Sequence, residues 1–261
     1  MSEQMKKFTK NQLNAIYNNF NKKEFIYPDP LWFLYKYTKK EDIETAGLIA
    51  SSLAYGNIKI IMRSVKTILS LLGDEPTKTL DSKSDSWIKK NTSGFVHRFA
   101  KSENITGLLI SIREIRKKYK SIENCFLSGF DKNDETILNA ACNFTKIIHE
   151  AAYPYEPKHL MPLAEKKSAC KRLNLYLRWM IRNDEVDPGW WKIDKSTLII
   201  PLDTHMHKIA IEYGLTEKKS GSMNTAIEIT KGFKKFCPED PVKYDFALTR
   251  QGIRKTSGLF D

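Results

Sequence analysis

Glycine and proline are scarce in this sequence, at 12 and 10 of 261 residues. That is too few for a collagen-like or low-complexity disordered chain. No apolar run approaches the roughly 20 residues needed to span a bilayer, and mean hydropathy is −0.46. The opening Met1-Ser2-Glu3-Gln4-Met5-Lys6-Lys7 leads into polar sequence, without the apolar stretch of a signal peptide. A soluble, cytoplasmic protein with no membrane partner is expected. Cysteine is rare too. Cys125, Cys142, Cys170 and Cys237 form no C-x-x-C pair, so they read as reduced, mostly buried thiols, not as ligands of zinc or of an iron–sulfur cluster.

Other absences narrow the chemistry. There is no G-x-x-x-x-G-K-[ST] and no G-x-G-x-x-G, so nucleotide-dependent phosphoryl transfer and Rossmann chemistry have no footing. No His-Asp dipeptide supports a metal-dependent phosphohydrolase. His205 and His207 are two apart, which on a helix points them in different directions and makes no metal pair. Neither a metal nor a cofactor is expected.

What the chain has in excess is positive charge. Lys and Arg number 43 against 31 Asp and Glu, a formal +12, with a pI near 9.3. Such a balance implies an anionic partner, nucleic acid before a membrane surface, unless the lysines merely solubilise the chain. The distribution favours a binding face. Residues 86–120 carry nine Lys/Arg against Glu103 and Glu114, and residues 158–182 carry seven against Glu165 alone.

Hydrophobic residues make up 41% of the chain, enough to bury a core. Their spacing is helical nearly throughout. Thr38 and Glu41 form a capping-box pattern before a helix with Ile43, Ala46, Ala50 and Leu53 inward. Gly56-Asn57 interrupts it. Ile58, Ile61, Met62, Val65, Ile68, Leu69 and Leu72 mark the next helix, with Gly73 as its stop. Similar faces lie at 105–119 and 137–148. After the prolines of 153–162, helices are predicted over about 167–182, from Pro201 to Gly214, over 225–236, and from Asp240-Pro241 to about Gly252. Alternating strand patterns are scarce, and the expected fold class is all-α.

Two of these helices carry candidate chemistry. On a wheel of about 100° per residue, Lys167, Lys171, Asn174, Arg178 and Arg182 share one face of the 167–182 helix, opposite Ala169, Leu173, Tyr176 and Met180. The first face is either a stripe that follows a phosphate backbone or an ordinary solvated surface. Lys171 lies near the start of its helix, where the positive end of the dipole favours the neutral, nucleophilic amine. In Leu198-Ile-Ile-Pro-Leu-Asp-Thr-His-Met-His-Lys-Ile-Ala210, Asp203 is placed to N-cap a helix. It is either a cap alone or also a mounted acid/base or charge-stabilising group.

The segment Pro201–Ala210 resembles the catalytic-aspartate segment of the helix-hairpin-helix DNA glycosylase superfamily, where related enzymes read V-D-T-H-V or P-V-D-x-H-M. The resemblance implies that Asp203 and an upstream lysine, matched by Lys171 in Ser168-Ala-Cys-Lys-Arg-Leu173, are catalytic. The interval between them is similar to that of archaeal 8-oxoguanine glycosylases. Gly47–Asn57 is similar to the superfamily's early helix-turn, from which a side chain enters the duplex; Tyr55 or Asn57 takes that role here. Asp240–Leu248 is similar to the helix that lines the base pocket. There Asp245 either reads the flipped base or is a buried structural carboxylate, and Phe246 stacks or packs; His205 is a further substrate contact. Lys167, Ser168, Arg172, Asn174 and Arg178 are the expected DNA contacts. The stretch Met161–Ser168 lacks the glycines of the superfamily's L-P-G-[VI]-G hairpin, so Lys166, Lys167 and Ser168 would bind phosphate through side chains. Over most of its length the chain is more closely similar to a bacterial family, DUF2400, which brings no activity with it.

The resemblance implies a two-lobed helical DNA glycosylase-like fold with the active-site cleft between lobes. Residues 1–45 plus 155–261 form the lobe of the Lys171/Asp203 pair, residues 46–154 the lobe of the wedge turn, and the two make one functional unit. The implied function is a bifunctional glycosylase and β-elimination lyase that removes an oxidised purine such as 8-oxoguanine. The implied partner is double-stranded DNA containing a damaged base, bound by a monomer. The alternatives are an enzyme for another lesion or for abasic sites, and a DNA-binding module without catalysis.

Overall fold

The structure is a computed structural model that describes residues 7–166 and 168–256, with side chains up to residue 250. Lys167 lies outside the described residues. The α-helices run, in chain order, α1 (Lys10–Phe20), α2 (Lys40–Ser52), α3 (Ile58–Leu72), α4 (Pro76–Ser82), α5 (Asp85–Asn91), α6 (Ser102–Tyr119), α7 (Ile122–Leu127), α8 (Leu138–Ala151), α9 (Lys171–Ile181), α10 (Thr204–Glu212), α11 (Met223–Lys234) and α12 (Asp245–Thr256). Short 3₁₀ turns join them. Among the described residues the one sheet is a hairpin of β1 (Val96–His97) and β2 (Ala100–Lys101). The all-α expectation holds. No helix among the described residues is long and apolar enough to cross a membrane.

The chain divides into two compact units, one drawn from Met1–Ile26 and Lys167–Asp261, the other from Tyr27–Lys166. The boundary expected at 45/46 lies inside α2, which is continuous. In the Tyr27–Lys166 unit, α6 packs against α5, α7 and α8, and α2 packs against α3, α4, α6 and α7. The helical spacing explains this. Ile61, Val65, Ile68, Leu69 and Leu72 of α3 are buried on one face, each side chain stabilising the fold by roughly 1.5–3 kcal/mol. Asn57 caps that helix by accepting from Lys59 N at 2.9 Å.

The Thr38/Glu41 capping box does not form. The N-cap is Lys39, without a side-chain cap bond, and Glu41 and Asp42 in the first turn complement the dipole instead.

In the other unit, α1 and α10 both pack on α12. After α9 the chain reverses sharply through Gly189, whose φ is +53°; a Cβ there would stand 2.4 Å from Arg182 O. Only glycine fits that turn. It brings Gly189 N to Trp179 O at 3.1 Å and Trp191 N to Met180 O at 2.7 Å, which satisfies carbonyls left open at the end of α9. The final helix begins at Asp245, not at Asp240-Pro241, because residues 241–244 form a turn first.

Candidate active site

The approach to Asp203 is apolar and fixed. Leu198, Ile199, Ile200 and Leu202 are buried, and Ile200 N donates to Thr230 Oγ1 at 3.0 Å. Asp203 itself has extended backbone, and its Oδ1 accepts from Met206 N at 2.8 Å, which makes it the N-cap of α10. One oxygen of the carboxylate is thereby pinned. The other, Oδ2, stands 3.4 Å from Lys171 Nζ.

Lys171 reaches that position because it is the first residue of α9. Cys170, with φ +45°, turns the chain into the helix, and its N–H donates to Ser168 Oγ at 3.3 Å. The helix therefore starts four residues later than the wheel suggested. The amine stands between the positive helix terminus and the Asp203 carboxylate. Both side chains of the pair are partly open to solvent, at 34% and 24% exposure. An amine and a carboxylate thus stand side by side within reach of solvent.

Asn174, Arg178 and Arg182 of the supposed basic stripe are buried. Arg178 donates from Nε to Asp187 Oδ1 at 3.2 Å and forms an ion pair with Asp245 Oδ2. Arg182 donates from Nε to Asp240 Oδ1 at 3.0 Å, from Nη2 to Asp184 Oδ2 at 2.8 Å, and from Nη1 to Asp187. Tyr17 and Asn21 close the cluster, each donating to Asp184 Oδ2 at 3.0 Å. Asn174 is 1% exposed and donates to Ala169 O. Arg178 and Asn174 are therefore engaged inside the fold in this conformation, not presented to solvent. Among the remaining expected DNA contacts, Ser168 is exposed and Arg172 is half-buried.

Burial sets the protonation of this cluster. It pushes the Asp245 carboxyl up to about 6, against the pull of Arg178 and with the charge of Asp203 adding to the rise. It raises Asp187 as well, although Arg178 and Arg182 oppose it. For Asp184 burial is outweighed by Arg182 and by the N–H groups of residues 186 and 187, and its pKa falls. Asp245 Oδ1 is buried with no hydrogen-bond partner among the described residues. Among the described residues no group of three His, Cys, Asp or Glu side chains is arranged to hold a metal ion.

The two expected base-pocket residues are also enclosed. Asp245 is 3% exposed and Phe246 is 2%; the Arg250 guanidinium lies over the Phe246 ring at 4.8 Å. Of the two readings of Asp245, the buried carboxylate is the observed one. His205 is exposed on α10.

The wedge candidates are engaged within their own unit. Tyr55 is half-buried and donates from its hydroxyl to His97 O at 2.9 Å, while the Asn57 side chain is the α3 cap. The second basic region is partly neutralised: Arg113 is buried against Asp85 and Glu114, and Arg116 pairs with Asp81 at 3.4 Å. Sequence reasoning does not reach Asp184, Asp187 and Asp240, whose arginine partners stand two to 58 residues away along the chain, with Tyr17 and Asn21 more than 160 residues from Asp184.

Comparison with curated proteins and with solved structures finds no match. One family model does match. It covers residues 29–254, which include Lys171, Asp203 and Asp245, and it carries the description "Protein of unknown function (DUF2400)". Since the match spans most of the sequence, the chain belongs to the DUF2400 family.

Proposed function

We propose that this protein is a DNA base-excision repair glycosylase with an associated lyase activity, in which Lys171 forms a Schiff base with deoxyribose. The observation that carries the reading is the 3.4 Å approach of Lys171 Nζ to Asp203 Oδ2. Those two residues, 32 positions apart, are the ones the glycosylase resemblance assigns to catalysis.

The chemistry balances with these groups alone. Asp203 accepts a proton from the Lys171 ammonium, and the freed amine attacks C1′ of a flipped nucleotide. The C1′–N bond breaks with its electron pair going to the base, which takes the proton held by Asp203 and leaves as the protonated species. Loss of an amine proton and opening of the C1′–O4′ bond, with O4′ protonated, give the iminium. The ionised Asp203 then takes a C2′ proton, the electron pair forms the C2′–C3′ double bond as the C3′–O bond breaks and the phosphate leaves, and water hydrolyses the Schiff base to regenerate the amine. Once its proton has passed to the base, the ionised Asp203 stabilises the positive charge of the iminium.

The reading includes a two-lobed glycosylase-like architecture with the site in its cleft, a monomeric enzyme and double-stranded DNA with a damaged base as substrate. An oxidised purine such as 8-oxoguanine is the proposed lesion. The burial of Asp245 and Phe246 favours a second reading, in which abasic sites are the substrate and no base is read. The test is to incubate the protein with duplexes that carry a single 8-oxoguanine, an oxidised pyrimidine or an abasic site, and to assay free base and strand scission. Release of 8-oxoguanine supports the first reading. Scission confined to abasic duplex supports the second, and specific binding without either product overturns both.

A further inference from the structure

The β1–β2 hairpin presents an aromatic ring to solvent in a way that the proposed chemistry does not use. Phe99 is 73% exposed, the one exposed phenylalanine among the described residues, and Val96 beside it is 64% exposed. Exposure of a ring with no polar atom is unfavourable, and it is not a consequence of a loose loop. His97 and Ala100, the paired residues behind the turn, are fully buried. His97 Nδ1 is 2.9 Å from Ser64 Oγ, and its Nε2 is 3.2 Å from Tyr55 O. The Tyr55 hydroxyl closes the arrangement on His97 O. The base of the hairpin is thus clamped while its tip projects.

The tip is cationic as well as aromatic. Arg98 occupies the left-handed region at φ +54°, a conformation unfavourable for a residue with a side chain, and one that clusters at functional sites. Its guanidinium lies 5.4 Å from the Phe99 ring centroid. Gly56 makes room for this arginine, since a Cβ there would meet Arg98 Cδ at 2.6 Å. His159 supports the same ring edge-on at 6.4 Å. Arg98 and Lys101 are exposed, and residues 96–101 contain no acid.

We propose that this hairpin is a nucleic-acid stacking element, whose Phe99 ring enters a gap in the base stack of duplex DNA while Arg98 and Lys101 meet the flanking phosphates. Every base offers a π face to an aromatic ring, and cations beside the ring supply the matching charge for the backbone. An apolar patch made for a second protein would not need two cations and no acid. The choice of duplex DNA rests on the function proposed above. The expected wedge then moves from Tyr55 and Asn57, which are engaged in holding the hairpin and capping α3, to Phe99.

The test uses the full chain and a fluorescein-labelled duplex with one tetrahydrofuran site, an abasic analogue that leaves a gap but undergoes no Schiff-base chemistry. Phe99→Ala and Phe99→Leu are each expected to weaken binding about tenfold, within the range for loss of aromatic stacking on one base. Phe99→Trp should bind as the wild type does, and its additional tryptophan emission should fall on binding as the indole stacks. Binding unchanged in Phe99→Ala would overturn the proposal. So would retention by Phe99→Leu, or a dimer seen by sedimentation that Phe99→Ala abolishes. Stacking without any borohydride adduct on true abasic DNA leaves the hairpin standing and removes the lysine chemistry. Adducts with Phe99-independent binding do the reverse.

Discussion

Arg178 on α9 and Asp245 on α12 form a buried ion pair, with both side chains 4% exposed. Asp187 completes it from the turn that follows α9, at 3.1 Å from Arg178 Nη2. A helical wheel shows Arg178 as a cation on a polar face; the fold shows it as the counter-charge of two carboxylates that water does not reach.

Arg178→Ala should therefore act on stability before DNA affinity. Removing one member of a buried pair leaves the others uncompensated and costs about 3–5 kcal/mol. Urea unfolding followed by circular dichroism checks this. A variant as stable as the wild type but several-fold weaker on duplex DNA would restore Arg178 to the role of phosphate contact.

Burial raises the Asp245 carboxyl to about 6 from an ordinary value near 3.8. The folded state thus holds this proton when the unfolded chain has released it. The contribution is fully present below about pH 4 and is lost as pH rises through 6. The difference, 6 − 3.8 = 2.2, corresponds to at most about 3 kcal/mol at 1.36 kcal/mol per pH unit. Asp245→Asn carries no such proton. Its stability relative to wild type should improve between pH 4 and 7, and parallel pH–stability curves would contradict the assignment.

Asp203 has two separable roles. Asn is nearly as good an N-cap as Asp, so Asp203→Asn should keep the bond to Met206 N and leave stability within about 0.5 kcal/mol. Turnover on a lesion duplex should fall by roughly 100-fold or more, as for loss of a charge-stabilising or proton-accepting group. Asp203→Ala should lose activity similarly and also about 1 kcal/mol of stability. Equal and small effects of Asn on binding and turnover would reduce Asp203 to a cap.

Gly189→Ala should destabilise the fold by roughly 2–3 kcal/mol, because the left-handed φ and the 2.4 Å approach to Arg182 O are both incompatible with a Cβ. The turn carries Asp187 to both arginines, so a thermal melt should show a loss close to that of Arg178→Ala. An unperturbed melt would mean that the turn relaxes freely.

Much of the helical layout is legible in the sequence because burial follows spacing. Ile61, Val65, Ile68, Leu69 and Leu72 point inward as their steps of three and four require, and Asp203 caps α10 as its place before the periodic run implies. The polar face of α9 is not legible in the same way. Arg178 meets Asp245 67 residues away, and Arg182 meets Asp240 58 residues away; no local pattern encodes those partners. The hairpin of Val96–Lys101 is not legible for another reason. Two-residue strands are too short to alternate, and an exposed Phe99 has no periodicity to mark it.

The most direct measurement concerns Lys171. The wild-type protein is mixed with duplex DNA that carries an 8-oxoguanine or an abasic site, treated with borohydride, and the cross-linked peptide is located by mass spectrometry. The expected result is one covalent adduct on Lys171, absent in Lys171→Gln while that variant still binds the duplex. No adduct with either substrate, or an adduct of equal yield in Lys171→Gln, would contradict the assignment of Lys171 as the nucleophile.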